Sequence, residues 1–113
     1  MQLPNKEKAY VPYNKLTGYL LSTTHTVGRL KAKFFRAMGF DETSVEQLRQ
    51  GLLTIAHTSQ VKESIVSPYG TKYVIDGLLK TPKGPSVYIR TIWIIETGQD
   101  RPRFVTAYPI KVR

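Results

Sequence analysis

Apolar residues recur at helical spacing through the first half of the chain and alternate with polar ones through the second. Residues 1–12, punctuated by Pro4 and Pro12, predict an irregular lead-in. Asn14 is placed to cap a short helix reaching Leu21, since its side chain can accept from the open N–H groups of a first turn. Ser22, Thr23 and Thr24 end that helix. A second is expected over residues 26–38, stopped by Gly39, which suits the left-handed position past a helix end. Thr43-Ser44-Val45-Glu46 reads as a capping box. It opens a third helix with Val45, Leu48, Leu52 and Ile55 on one stripe.

After His57 the pattern turns to extended segments over 61–67, 71–80, 86–97 and 103–110. Pro68-Tyr69-Gly70, Pro82-Lys83-Gly84-Pro85 and Gly98-Gln99-Asp100-Arg101-Pro102 punctuate them. Connections this short favour an antiparallel meander. In the third segment Val87, Ile89, Thr91, Trp93, Ile95 and Thr97 share one face. Tyr88, Arg90, Ile92, Ile94 and Glu96 share the other. Both faces are largely apolar, which makes this an interior strand with Trp93 in the core. The reading is α+β: N-terminal helices packed on a four-stranded antiparallel meander sheet, in one domain spanning 1–113.

The second helix carries an anomaly. Successive helical residues advance by about 100°, so with His25 at zero, Leu30, Phe34, Val27, Met38 and Phe35 fall within an arc of about 140° to 280°. That arc is expected to be buried, with Arg29, Lys33 and Arg36 on the solvent side. Lys31 falls inside the apolar arc. A lysine there either snorkels to the edge or keeps its charge for a purpose. Gly28 and Ala32 are small, so a crevice bordered by His25 and Lys31 is expected between helix and sheet.

Charge and composition narrow the partners. Seventeen Lys and Arg against eight Asp and Glu give a formal net charge of +9. Such a surplus concentrates polyanions around the chain, and RNA, DNA, an anionic membrane or an acidic protein partner would all be compatible with it. No apolar run approaches the roughly 20 residues that span a bilayer, so no membrane association is expected. The first residues show no signal-peptide pattern and the chain has no cysteine, which fits a cytoplasmic location. No HExxH, CxxC or acidic cluster occurs, and no GxxxxGK[ST] or GxGxxG. Neither a metal nor any other cofactor is expected. His, Lys, Arg, Thr and Tyr remain, a set suited to RNA cleavage without metal. In that reaction the 2′-hydroxyl attacks phosphorus, a base takes its proton, cations hold the phosphorane, and an acid protonates the leaving 5′-oxygen. His57, at a helix C-terminus, is read as favoured there by the helix dipole.

Two stretches carry a resemblance. The first is His25-Thr26-Val27-Gly28-Arg29-Leu30-Lys31-Ala32-Lys33-Phe34-Phe35. The second is Arg90-Thr91-Ile92-Trp93-Ile94-Ile95 followed by Pro102-Arg103-Phe104-Val105-Thr106-Ala107-Tyr108-Pro109. Together they resemble a family of small bacterial toxin-associated domains of uncharacterised function. These occur beside a small partner gene or at the C-terminus of large polymorphic toxins. Helices before a four-stranded sheet also resemble the barnase–EndoU–colicin–RelE group of RNase toxins. The resemblance implies catalytic roles for His25, Lys31, Arg90, Thr106 and Tyr108; apart from it, the cations Arg29, Lys33, Arg36 and Arg103 are expected to bind RNA. A glutamate base of the barnase kind has no counterpart, and the acid and base stay unassigned between these residues.

The resulting expectation is a metal-independent endoribonuclease toxin acting on RNA, tRNA included, and neutralised by a small acidic antitoxin or immunity protein. A chain starting at Met1 with no long delivery region fits an intracellular toxin–antitoxin module. The alternatives are a non-catalytic basic nucleic-acid-binding module and a phage or structural adaptor domain. The +9 charge leads to the first test. RNA affinity should fall steeply as salt rises, linearly on logarithmic axes. Filter binding across a salt series measures the slope, and a flat response would remove the nucleic-acid reading.

Overall fold

The computed structural model describes residues 1–25 and 29–111. Its helices come first and its sheet second, as the pattern predicts. The lead-in is irregular apart from a 3-10 turn at Lys6–Lys8, yet it belongs to the core. Leu3 and Val11 are buried, and Tyr10 bridges to Arg103 in parallel.

Helix α1 covers Tyr13–Lys15 and runs straight into a π-helical segment, Leu16–Leu20. It starts after Pro12 instead of being capped by Asn14. Proline's fixed φ leads the chain into the first turn, and Asn14 lies exposed within that turn. The wider turn closes with Leu21 N–H donating to the Leu16 carbonyl at 2.8 Å. Leu16, Leu20 and Leu21 are all buried, while Tyr19 is left on the flank.

Helix α2 covers Arg29–Ala37. The expected start of this helix, Thr26 and Val27, and the close approach expected at Gly28 lie outside the described residues. Gly39 ends it as predicted: its φ is 99°, and Phe40 N–H reaches back to the Phe35 carbonyl at 3.1 Å. The buried stripe differs from the predicted one. Ala32 and Phe35 are buried, whereas Leu30 is 74% exposed. The apolar residues Leu30, Phe34 and Met38 suggest a stripe by spacing alone. Phe35 is buried as expected and Phe34 and Met38 pack partly against the core, but the helix also turns Ala32 inward, towards the π segment and the sheet, so the contact line is rotated away from Leu30. Arg36 is not a simple solvent-facing cation either. Its Nε and Nη2 donate to the Leu21 carbonyl at 2.9 and 2.7 Å, and the guanidinium also pairs with Glu42.

Helix α3, Val45–Thr58, carries the expected stripe of Val45, Leu48, Leu52 and Ile55. The capping box does not form. Ser44 is the N-cap without a side-chain cap bond, and Glu46 pairs with Arg49 and Gln50. The turn is organised by Asp41, whose Oδ1 accepts from Thr43 N–H at 2.8 Å, and by Ser44 Oγ, which accepts from Asp41 N–H at 2.9 Å.

The sheet is a pure meander of β1 (Val61–Ser67), β2 (Gly70–Leu79), β3 (Val87–Glu96) and β4 (Arg103–Pro109), each antiparallel to the next. Helix α3 lies on β2 where Gly51 and Gly77 allow it. A Cβ on Gly51 would stand 2.4 Å from Leu79 Cδ1, and one on Gly77 would stand 3.0 Å from Ile55. Ile75, Leu79, Ile89, Trp93, Phe104 and Ala107 complete the core from the sheet side.

One buried hydroxyl organises the middle of that face. Thr91 Oγ1 donates to the Ile75 carbonyl at 2.7 Å and accepts from Trp93 Nε1 at 2.8 Å. All the polar atoms of the buried Trp93 and Thr91 side chains are thereby satisfied. Thr91→Val keeps the shape and strands the indole N–H, a loss of about 1–3 kcal/mol. Urea unfolding should show that drop for Thr91→Val and a smaller one for Thr91→Ser, which keeps the acceptor.

Candidate active site

The candidate site forms at the edge strand β4, and a bulge makes it possible. Ile92 pairs with Thr106, but Trp93 pairs with Phe104, so Val105 is an extra residue. Strict alternation would put Phe104 and Thr106 on one face. The bulge sends Phe104 into the core against Trp93, ring centres 5.4 Å apart, and turns Thr106 and Tyr108 to the outer face. There Tyr108 stands opposite Arg90 on β3, and Arg90 opposite Asp76 on β2.

The helical layer reaches that face around the β4 edge. Tyr19, on the π segment, shares a hydrogen bond with the Thr106 hydroxyl at 3.1 Å. Lys31, on α2, donates from Nζ to the Tyr19 hydroxyl at 2.7 Å. The same ammonium sits 5.2 Å from the Tyr19 ring centre and 5.8 Å from that of Tyr108. Lys15 lies 5.1 Å from the Tyr19 ring centre. His25 packs edge-on against Tyr19, ring centres 5.1 Å apart. Arg90 makes a two-pronged contact with Asp76, Nε to Oδ1 at 2.8 Å and Nη2 to Oδ2 at 3.0 Å.

All five residues singled out for catalysis are therefore linked through contacts on one side of the molecule. Lys31 is partly exposed on the flank of α2 instead of inside its buried stripe. That flank position is what lets it touch both tyrosines. Ala32 is fully buried and leaves no space for a ligand, while Tyr19 and Tyr108 are both partly exposed. Of the four cations assigned to RNA, Arg29 and Lys33 are exposed on α2. Arg36 is tied to Leu21 and Glu42, and Arg103 Nε donates to Glu96 at 3.0 Å. His57 stands exposed in the last turn of α3, outside the cluster.

Tyr19 is the member that pattern reading missed. Its sequence position says little, because only the π turn and the β4 bulge bring it to Thr106. The electrostatics single it out. Burial pushes its hydroxyl pKa up, but the hydrogen bonds from Lys31 and Thr106 and the charges of Lys31 and Lys15 outweigh that and bring it below the ordinary tyrosine value. The Asp76 carboxylate holds Arg90 even further into its charged form. Among the described residues no group of three or more His, Asp or Glu is placed to share a metal ion. Among them, too, no helix is long and apolar enough to cross a membrane.

The chain belongs to a family described as "Domain of unknown function (DUF6883)", whose profile matches residues 2–111. No curated protein matches it. A solved structure similar in fold is a chain of a contact-dependent growth inhibition toxin–immunity protein complex from Klebsiella pneumoniae 342. The likeness has a TM-score of 0.73 at 16% identity and covers 95% of this chain and 97% of that one.

The lowered Tyr19 value has a direct test. In an ultraviolet titration of the seven tyrosines, one should ionise below the rest, and Tyr19→Phe should remove that step. Lys31→Met deletes the donor and the charge that favour the phenolate, so it should move the step to higher pH. A Tyr19 that titrates unchanged in the Lys31 variant would contradict the assignment of cause.

Proposed function

We propose that this chain is a metal-independent ribonuclease of the toxin type, held in check by a small acidic protein. The observation that carries the reading is the gathering of His25, Lys31 and Thr106 on Tyr19 at the β4 edge, with Tyr108 beside Lys31 and Arg90 opposite Tyr108 on β3. Attack of a 2′-hydroxyl on the adjacent phosphorus needs proton transfer and stabilisation of a crowded, more negative phosphorane. His25 is an imidazole suited to proton transfer near neutral pH. Lys31 and Arg90 supply cations. Thr106 and Tyr108 supply hydroxyl donors, and exposed Arg29 and Lys33 on α2 extend the positive surface along the RNA backbone.

The fold likeness to a chain from a toxin–immunity complex and the +9 charge support the same reading. A cationic site is most simply blocked by an acidic surface that mimics phosphate, and opposite charge also speeds capture. RNA, tRNA included, places the action in the cytoplasm.

The test is incubation of purified protein with total RNA in the presence of chelator, followed by mapping of the cut ends. Fragments ending in 2′,3′-cyclic phosphate are expected. His25→Ala and Lys31→Ala should each slow cleavage by roughly a hundredfold, the scale of losing a proton-transfer or charge-stabilising group. Both should stay folded, since neither residue is buried. Salt-sensitive binding without any cleavage would favour the non-catalytic nucleic-acid-binding module. Cleavage that chelator abolishes, or that both variants retain, would overturn the mechanism.

A further inference from the structure

The Tyr19 hydroxyl is held by two members of the cluster, one of which can only donate to it. Lys31 Nζ is an ammonium with donors only, so at 2.7 Å it must donate to the phenolic oxygen. One lone pair of that oxygen is then engaged, and its proton points to an acceptor elsewhere. Thr106 Oγ1 lies 3.1 Å away and can either accept that proton or donate to the oxygen once the proton has gone. A phenol held in this way by a cation and a reversible hydroxyl is arranged to give up its proton and to hold the anion left behind. The groups facing it are Lys15 from α1, His25 and Lys31 from the segments on either side of residues 26–28, and Thr106 from β4, with Tyr108 across Lys31. The charged groups among them are cations, which act in the same direction.

We propose that Tyr19 is a catalytic residue of this site, the general acid that protonates the leaving 5′-oxygen. The role rests on the ribonuclease reading. In the step, the 2′-oxygen forms its bond to phosphorus and loses its proton to His25. The bond from phosphorus to the 5′-oxygen breaks, and that oxygen takes the Tyr19 proton. The products are a 2′,3′-cyclic phosphate and a free 5′-hydroxyl. Lys31 and Thr106 hold the phenolate until it recovers a proton through water, equal to the one His25 has gained.

A general acid acts on the leaving group, so the leaving group provides the test. An oligoribonucleotide spanning a mapped cut site is made in two forms, one with the natural bridging 5′-oxygen and one with bridging 5′-sulfur. A thiolate leaves without needing a proton. Tyr19→Phe removes only the hydroxyl. It should slow cleavage of the oxygen substrate by roughly a hundredfold and leave the sulfur substrate within a few-fold of the parent rate. Thr106→Val, which removes the phenolate's second partner, should show the same selectivity to a lesser degree. It also provides an independent arm, should Tyr19→Phe fail to fold by circular dichroism. Equal slowing of both substrates by both variants, or no slowing, overturns the acid role while the ribonuclease reading stands. A parent protein that cleaves neither substrate overturns the ribonuclease reading and this role with it.

Discussion

Lys31 Nζ, the Tyr19 hydroxyl and the Thr106 hydroxyl form one short line of hydrogen bonds, and it joins three separate elements. The line exists only because each element is bent or turned in a particular way. The π segment buries Leu16, Leu20 and Leu21 yet leaves Tyr19 on its flank. Helix α2 turns Ala32 and Phe35 into the protein, which swings Lys31 to the side nearest β4. The β4 bulge keeps Phe104 in the core while turning Thr106 outwards. Straight alternation in β4 would break the line, and a regular α-turn at 16–20 would redirect Tyr19. Two backbone irregularities, the π segment and the β4 bulge, thus bring these polar groups together.

That division explains what could be read from the sequence. The meander was legible because its signals are strong and local: β-branched alternation, turn residues at each break, and a third segment apolar on both faces. Trp93 followed from the same alternation and is fully buried. The Gly39 stop was legible because a left-handed position selects its residue. Leu30 was misread because periodicity identifies an apolar stripe without knowing where the neighbouring elements lie. The capping box failed because Asp41 offers the turn a better acceptor than the reciprocal Thr43–Glu46 pair. The residue types of the candidate site came from motif resemblance. The contacts that join them were not legible, because a one-residue bulge and a π turn leave little trace in hydrophobic pattern.

The distribution of opposite charge gives the site its character. Eight carboxylates serve a chain with seventeen Lys and Arg. Many of them are committed to scaffolding: Glu42 to Arg36, Glu46 to Arg49, Asp100 to Lys8, and Glu96 to Arg103. Asp76 holds Arg90 and lies within 3.9 Å of Lys62, two strands away from Thr106 and Tyr108. Among the described residues, the groups recorded against Tyr19 are Lys15, Lys31, His25 and Thr106, and none is a carboxylate. Among the described residues neither Lys15 nor Lys31 forms an ion pair, so the positive charge beside Tyr19 is not offset locally.

An unbalanced cation pair beside partly exposed hydroxyls has two physical consequences. It attracts an anion to that spot more strongly than an ion-paired cation would, because a committed cation offers a phosphate less net field. It also lowers the free energy of any negative charge that develops there, on a phosphorane or on a phenol. Lys31 serves both consequences through one ammonium, 2.7 Å from the Tyr19 hydroxyl and facing the Tyr108 ring. Its removal would therefore reduce anion attraction and phenol acidity together, whereas loss of the Tyr19 hydroxyl would leave the attraction in place. On the proposed ribonuclease reading, binding and proton transfer are separable here because they reside on different atoms of the same hydrogen-bonded line.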